Sequence, residues 1–149
     1  MCIRDRGGPG LGKTFLSACI ARVVAERGFS VAYESASAAL GAFETQRFSR
    51  DTAEGESAAS RVREYLGCDL MILDDLGTEM VTSFSVSALY QLVNTRLGAG
   101  RQTIISTNAG FDELARKYGP QIMSRLEGEY LLLPFSGRDI RLLRKERGI

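Results

Sequence analysis

Apolar residues recur along the chain at two alternating spacings. Leu16, Ile20, Val23 and Val24 repeat at helical intervals, so 15–27 reads as a helix, with Gly28 where a C-terminal cap is expected. Ser30–Glu34 reads as a short strand and 37–48 as a helix. Residues 49–60 are polar and small, with Gly55 among them, and read as a loop or mobile insertion before a short helix over 61–66. An apolar run from Asp69 to Leu73 has strand length. Leu89, Leu92, Val93 and Leu97 line one face of a helix over 85–97, which Gly98 and Gly100 end. A β-rich strand follows over 102–107, then helices over 112–118 and 119–127, a strand over 130–133 and a helical tail after Gly137. Strands and helices alternate, and the strands are apolar throughout. That pattern predicts an α/β fold with a central parallel sheet covered on both faces. Ligands of such sheets bind at the carboxyl ends of the strands.

The chain has 149 residues, enough for one domain with a real core, and its composition is ordinary for a globular protein. It contains no histidine, which excludes Ser-His-Asp and Cys-His catalysis and histidine-ligated metals. Its three cysteines, Cys2, Cys19 and Cys68, are too few for a disulfide framework and fit a reducing cytoplasm. No apolar run is long enough to cross a bilayer, so no membrane role is expected. The net charge is only +1, although the tail from Gly137 gathers Arg138, Arg141, Arg144, Lys145 and Arg147 against Asp139 and Glu146.

Gly7-Gly8-Pro9-Gly10-Leu11-Gly12-Lys13-Thr14 has the spacing G-x-x-x-x-G-K-[ST]. Glycines allow successive N–H groups to turn inward on phosphate oxygens, and the helix that starts at Lys13 adds its positive end. Lys13 supplies a cation for the terminal phosphates and Thr14 a hydroxyl for Mg²⁺. ATP and Mg²⁺ are the expected cofactors. A phosphate loop should follow a buried strand. Here only Met1–Arg6 precedes it, with Arg4, Asp5 and Arg6 among its residues. Either that poor segment replaces the first strand or the strand is missing. The reading adopted is that 1–6 are a poor or artefactual leader and 7–149 an N-terminally truncated core lacking its first strand.

Leu70-Met71-Ile72-Leu73-Asp74-Asp75 carries two carboxylates to the end of a buried strand. Beside a phosphate loop, Asp74 is expected to hold Mg²⁺ through water, and Asp75 to orient or deprotonate the attacking water. Gln102-Thr103-Ile104-Ile105-Ser106-Thr107-Asn108 ends in a neutral amide that can reach the γ-phosphate or the water. Glu79 reads as a loop residue.

In that order, these motifs resemble the AAA+ ATPases, within them the helicase-loader group typified by DnaC and DnaI, with the related transposition helper IstB. The resemblance runs from about Gly7 to Arg144 and also rests on Ser124-Arg125-Leu126 and Gly137-Arg138-Asp139-Ile140-Arg141. It implies a three-layer P-loop fold without a separate helical lid. It implies that Asn108 is the first sensor and that Arg125 is an arginine finger acting on ATP in a neighbouring subunit. It also implies that Arg141, in competition with Arg138, is the second sensor. The partners it implies are a replicative helicase, further copies of the chain once ATP is bound, and single-stranded DNA, the last through Arg47 and Arg50 beside Phe43 and Phe48. The segment that binds helicase in that group is expected to lie upstream of these residues. The alternatives are an ATPase helper of a transposase and a truncated, inactive nucleotide-binding module. A small-molecule kinase fits less well, because no acceptor pocket is identifiable.

Overall fold

The computed structural model describes residues 2–147, and for residues 3–6 the backbone alone. Five strands form one parallel sheet: β1 (Cys2–Arg6), β2 (Val31–Ser35), β3 (Leu70–Leu76), β4 (Gln102–Thr107) and β5 (Tyr130–Pro134). Their spatial order is β2-β3-β4-β1-β5. Seven helices connect or follow them: α1 (Lys13–Glu26), α2 (Ala36–Phe48), α3 (Ala53–Gly67), α4 (Ser83–Gly98), α5 (Phe111–Tyr118), α6 (Pro120–Gly128) and α7 (Ile140–Glu146).

Side chains alternate across the sheet, so each strand serves two cores. Leu70, Ile72 and Ile104 pack against Ile20, Ala21 and Val24 of α1. Met71, Leu73 and Ile105 face the other way, into a larger core with Leu40 and Phe43 of α2, Leu89, Leu92 and Val93 of α4, and Ile122, Met123 and Leu126 of α6. This is the three-layer α/β arrangement expected from the continuous apolar strands.

Two expectations are corrected. The first strand is present. Cys2–Arg6 runs between β4 and β5, with Ile3 opposite Ile104 on one side and Leu131 on the other. A ladder is made by main-chain N–H and C=O groups, so two flanking strands accept a segment whose side-chain pattern is a poor guide to it. Residues 49–60 are not a loop either, because α3 begins at Ala53. The Thr52 hydroxyl accepts from the Gly55 N–H at 3.0 Å and caps that helix. Gly55, Ala58, Val62 and Tyr65 form its buried face. The small residues that resemble a loop allow close packing: a Cβ at Gly55 would overlap the Ser49 carbonyl.

At the edge of the sheet where β3 and β4 begin, Arg96 is fully buried. Its guanidinium donates to the carbonyls of Tyr65, Cys68 and Gln102 at 2.7, 2.9 and 2.6 Å, and to the Thr103 hydroxyl at 3.0 Å. Burial pushes its pKa down from the ordinary arginine value. Nearby, the Ser30 hydroxyl and N–H hold Asp69 below the usual carboxylate range. Arg96 thus joins α3, α4, β4 and the link that leads into β3 from one buried point.

Replacing Arg96 with Met strands these carbonyls, and each orphaned group costs roughly 1–3 kcal/mol. Arg96→Met is expected to lower the unfolding free energy by about 3 kcal/mol in urea denaturation, and Arg96→Lys to recover little, because an ammonium cannot reproduce the planar fork.

Candidate nucleotide site

The phosphate loop joins the carboxyl end of β1 to α1, so the ladder sets its position. Gly10 and Gly12 take φ of 72° and 89°, values a side chain disfavours, and Gly12 is the residue before the first turn of α1. Lys13 is buried. Its ammonium donates to the carbonyls of Gly7 and Gly8 and to Asn108 Oδ1, each at 2.7 Å.

The second wall comes from β3 and β4. Thr14 Oγ1 donates to Asp74 Oδ2 at 3.0 Å, which bridges the loop and the acidic strand end. The Asp74 carboxylate also accepts from Tyr33 Oη at 2.9 Å and from the Ser106 hydroxyl. Asp75 Oδ1 accepts from Asn108 Nδ2 at 3.0 Å. The Asn108 amide therefore spans the site, accepting a hydrogen bond from Lys13 and donating one to Asp75.

These groups line one cavity of about 700 Å³, with Pro9, Gly10, Leu11, Gly12, Lys13 and Thr14 on one side and Asp74, Asp75, Ser106 and Asn108 on another. The volume suits a small organic ligand. Turned glycine N–H groups, one lysine and a helix start make an anion cradle, and a hydroxyl beside a carboxylate provides oxygen donors for a hard cation. Among the described residues no group of three or more Cys, Asp or Glu side chains could by itself hold a metal. Thr14 and Asp74 supply oxygen donors of the kind that Mg²⁺ prefers.

The third wall is α7. Its Ile140 N–H donates to the Gly10 carbonyl at 2.9 Å, and Ile140, Arg141 and Arg144 line the cavity. Arg138 lies elsewhere, with its guanidinium 3.1 Å from both carboxylate oxygens of Glu146. Arg125 is exposed on α6 and does not line the cavity of its own chain. Glu79 accepts from the Gly77 N–H, as a loop residue should.

A separate cavity of about 550 Å³ lies between α2, α3 and α4, and Phe43, Arg47, Arg50 and Phe84 are among its walls. Arg47 stands 5.5 Å from the Phe84 ring centre and 5.9 Å from that of Phe48. Phe48 is 68% exposed, and the two rings are 5.6 Å apart.

Tyr33, Arg144 and Phe84 are not evident from sequence. Tyr33 lies on β2, paired with β3 in the ladder, and only that pairing brings its hydroxyl to Asp74. Ser106 and Thr107 had a signal, since both stand immediately before Asn108. No helix among the described residues is long and apolar enough to cross a membrane.

Replicative helicase loader DnaC of Escherichia coli K12 is 27% identical over 121 residues, covering 80% of this chain and 47% of that protein. The chain spans about half the length of this relative. A protein of Mycobacterium tuberculosis described as an ATP-binding protein in an insertion sequence is 30% identical over 105 residues, 68% of this chain and 38% of its own length. Among solved structures, the crystal structure of the DnaC helicase loader superposes with a TM-score of 0.77 at 19% identity, covering 91% of this chain and 78% of that one. AMPPCP-bound DnaA from Aquifex aeolicus also gives 0.77, at 23% identity, over 97% of this chain and 44% of that one. Residues 3–127 match the family described as IstB-like ATP binding protein, and with 125 of 149 residues matched the chain belongs to that family.

Proposed function

We propose that the chain is a Mg²⁺-dependent ATPase that acts as a DnaC-like helicase loader, its nucleotide state controlling assembly with a helicase and single-stranded DNA. One observation carries the catalytic part: Asn108 joins the buried lysine of the phosphate loop to Asp75, while Thr14 joins the same loop to Asp74. A cation, a hydroxyl, two carboxylates and an amide thus meet at one cavity.

Lys13 and the loop N–H groups bind the phosphates. Thr14 and Asp74 would hold Mg²⁺, which when bound neutralises phosphate charge. Asp75 accepts the proton of a water whose oxygen bonds to the γ-phosphorus as the bond to the bridging oxygen of ADP breaks. Asn108 orients that water without adding charge. Arg141 reads the γ-phosphate from within the chain. Arg125, exposed and outside its own cavity, reaches a neighbouring subunit's nucleotide, where a guanidinium stabilises charge on the transferring group. Likeness to the Escherichia coli loader supports the helicase as partner. The match to an insertion-sequence ATP-binding protein supports a second reading, in which the same ATPase serves a transposase. The Arg47–Phe48–Phe84 cluster offers cation and ring surfaces suited to single-stranded nucleic acid.

Lys13→Ala should abolish binding of a fluorescent ATP analogue, whereas Asp75→Asn should retain binding and lose hydrolysis by about 100-fold or more. Unchanged affinity in the first variant refutes the phosphate-site reading; unchanged turnover in the second refutes Asp75 as the base.

Arg125→Ala should bind ATP normally yet fail to hydrolyse it. Mixing it with Lys13→Ala chains should restore part of the rate, because one chain supplies the intact nucleotide site and the other the arginine. No recovery in mixed oligomers counts against action between subunits.

Arg47→Gln and Phe84→Ala should each weaken binding of a labelled oligothymidine by about tenfold in fluorescence anisotropy. Unaltered binding removes this cluster from the DNA contact.

A further inference from the structure

The end of β3 leaves the sheet by an unusual path. Asp75 has φ 61° and is the one non-glycine residue with positive φ among the described residues. The register shifts between Leu73 and Leu76, and Leu76 returns to pair with Thr107 and is fully buried. Asp75 is thereby looped out of the ladder towards Asn108. A left-handed backbone is unfavourable for a residue with a Cβ, and it persists where the surroundings impose it. The Asp75 side chain is exposed, so the core does not hold it. The Asp75 N–H donates to the Ser106 hydroxyl at 3.4 Å and its carbonyl accepts from the Thr78 hydroxyl at 3.0 Å; further restraint falls on the main chain that follows.

Three polar groups of that main chain are held by side chains. The Thr107 hydroxyl donates to the Leu76 carbonyl. The Gly77 N–H donates to both carboxylate oxygens of Glu79, each at 3.1 Å. The Gly77 carbonyl accepts from the Lys117 ammonium, which comes from α5. Gly77 itself has φ 103°, and a Cβ there would lie 3.1 Å from that of Ala109. Glu113, one turn earlier on α5, keeps the Lys117 ammonium at 3.3 Å. Of these contacts, only that of Lys117 ties the loop to a helix. Lys117 does not line the nucleotide cavity.

We propose that Lys117 is a positioning residue for ATP hydrolysis: by holding the Gly77 carbonyl it keeps Asp75 in the left-handed turn that aims its carboxylate at Asn108 and the phosphate loop. This rests on the ATPase reading above. Lys117 acts through the Gly77 peptide and touches no phosphate. Glu79 grips the other side of the same residue, so the two side chains form one clamp.

The test compares the parent chain with Lys117→Met, which keeps the aliphatic stem, Lys117→Arg, which restores an N–H donor, Glu79→Met and the Lys117→Met/Glu79→Met pair. kcat, affinity for a fluorescent ATP analogue and Tm are measured for each. The expected result is a kcat about tenfold lower in Lys117→Met, with affinity unchanged to within about twofold and the fold retained at the assay temperature. Lys117→Arg should regain most of the rate. The double variant should lose less than the product of the single losses, because both side chains act on one peptide. An unchanged kcat in Lys117→Met, a parallel loss of affinity, an unfolded Lys117→Met protein or multiplicative losses would each overturn the proposal. A parent chain that binds the analogue and never hydrolyses ATP overturns the ATPase reading and this inference with it. A parent chain that hydrolyses ATP while Lys117→Met matches its rate overturns this inference alone.

Discussion

The main-chain ladder that places β1 between β4 and β5 is the constraint on which the site depends. The phosphate loop continues directly from β1, and Asn108 follows β4. Because the strands are parallel, both chain ends emerge on the same edge, and Lys13 meets Asn108 there at 2.7 Å. The ladder between β3 and β4 brings Asp74 and Asp75 to that edge as well. Parallel pairing converts three separate sequence motifs into one cavity, without requiring them to be near one another in the chain.

The two edges of the sheet are held by different physics. Where β3 and β4 begin, a buried arginine satisfies carbonyls from several elements, and its removal would leave them in a low-dielectric interior. At the carboxyl edge, polar side chains face a cavity and bond to one another: Thr14, Tyr33 and Ser106 all converge on Asp74. Hydroxyls are suited to this role because each can rotate to a new acceptor. One edge is thus locked, and the other can exchange partners when phosphate oxygens enter.

The left-handed turn at Asp75 is the local exception in an otherwise regular sheet. In a straight continuation of β3 Asp75 would share the core-facing side of Leu73, and Leu76 would point to the opposite face. Looping it out exposes the carboxylate while Leu76 returns to the core. The free energy lost in the backbone is offset by that burial and by the contacts around Gly77.

How much was legible follows from what each feature depends on. The phosphate loop, the acidic strand end, Asn108 and the alternation of apolar strands with helices are local, because glycine conformations, charge and side-chain period act over a few residues. The sequence by itself therefore determined the α/β class and the groups that line the cavity from the loop and from β3 and β4. Tertiary structure decided the rest. Main-chain pairing recruited Cys2–Arg6 as a strand despite its polar residues, since a ladder is indifferent to side-chain pattern. Close packing made Gly55 and Ala58 helical, because small residues become an asset only when a neighbour presses on them. Tyr33, Arg144 and Lys117 reach their places through contacts with segments distant in sequence, and such contacts leave no periodic trace in the chain that makes them.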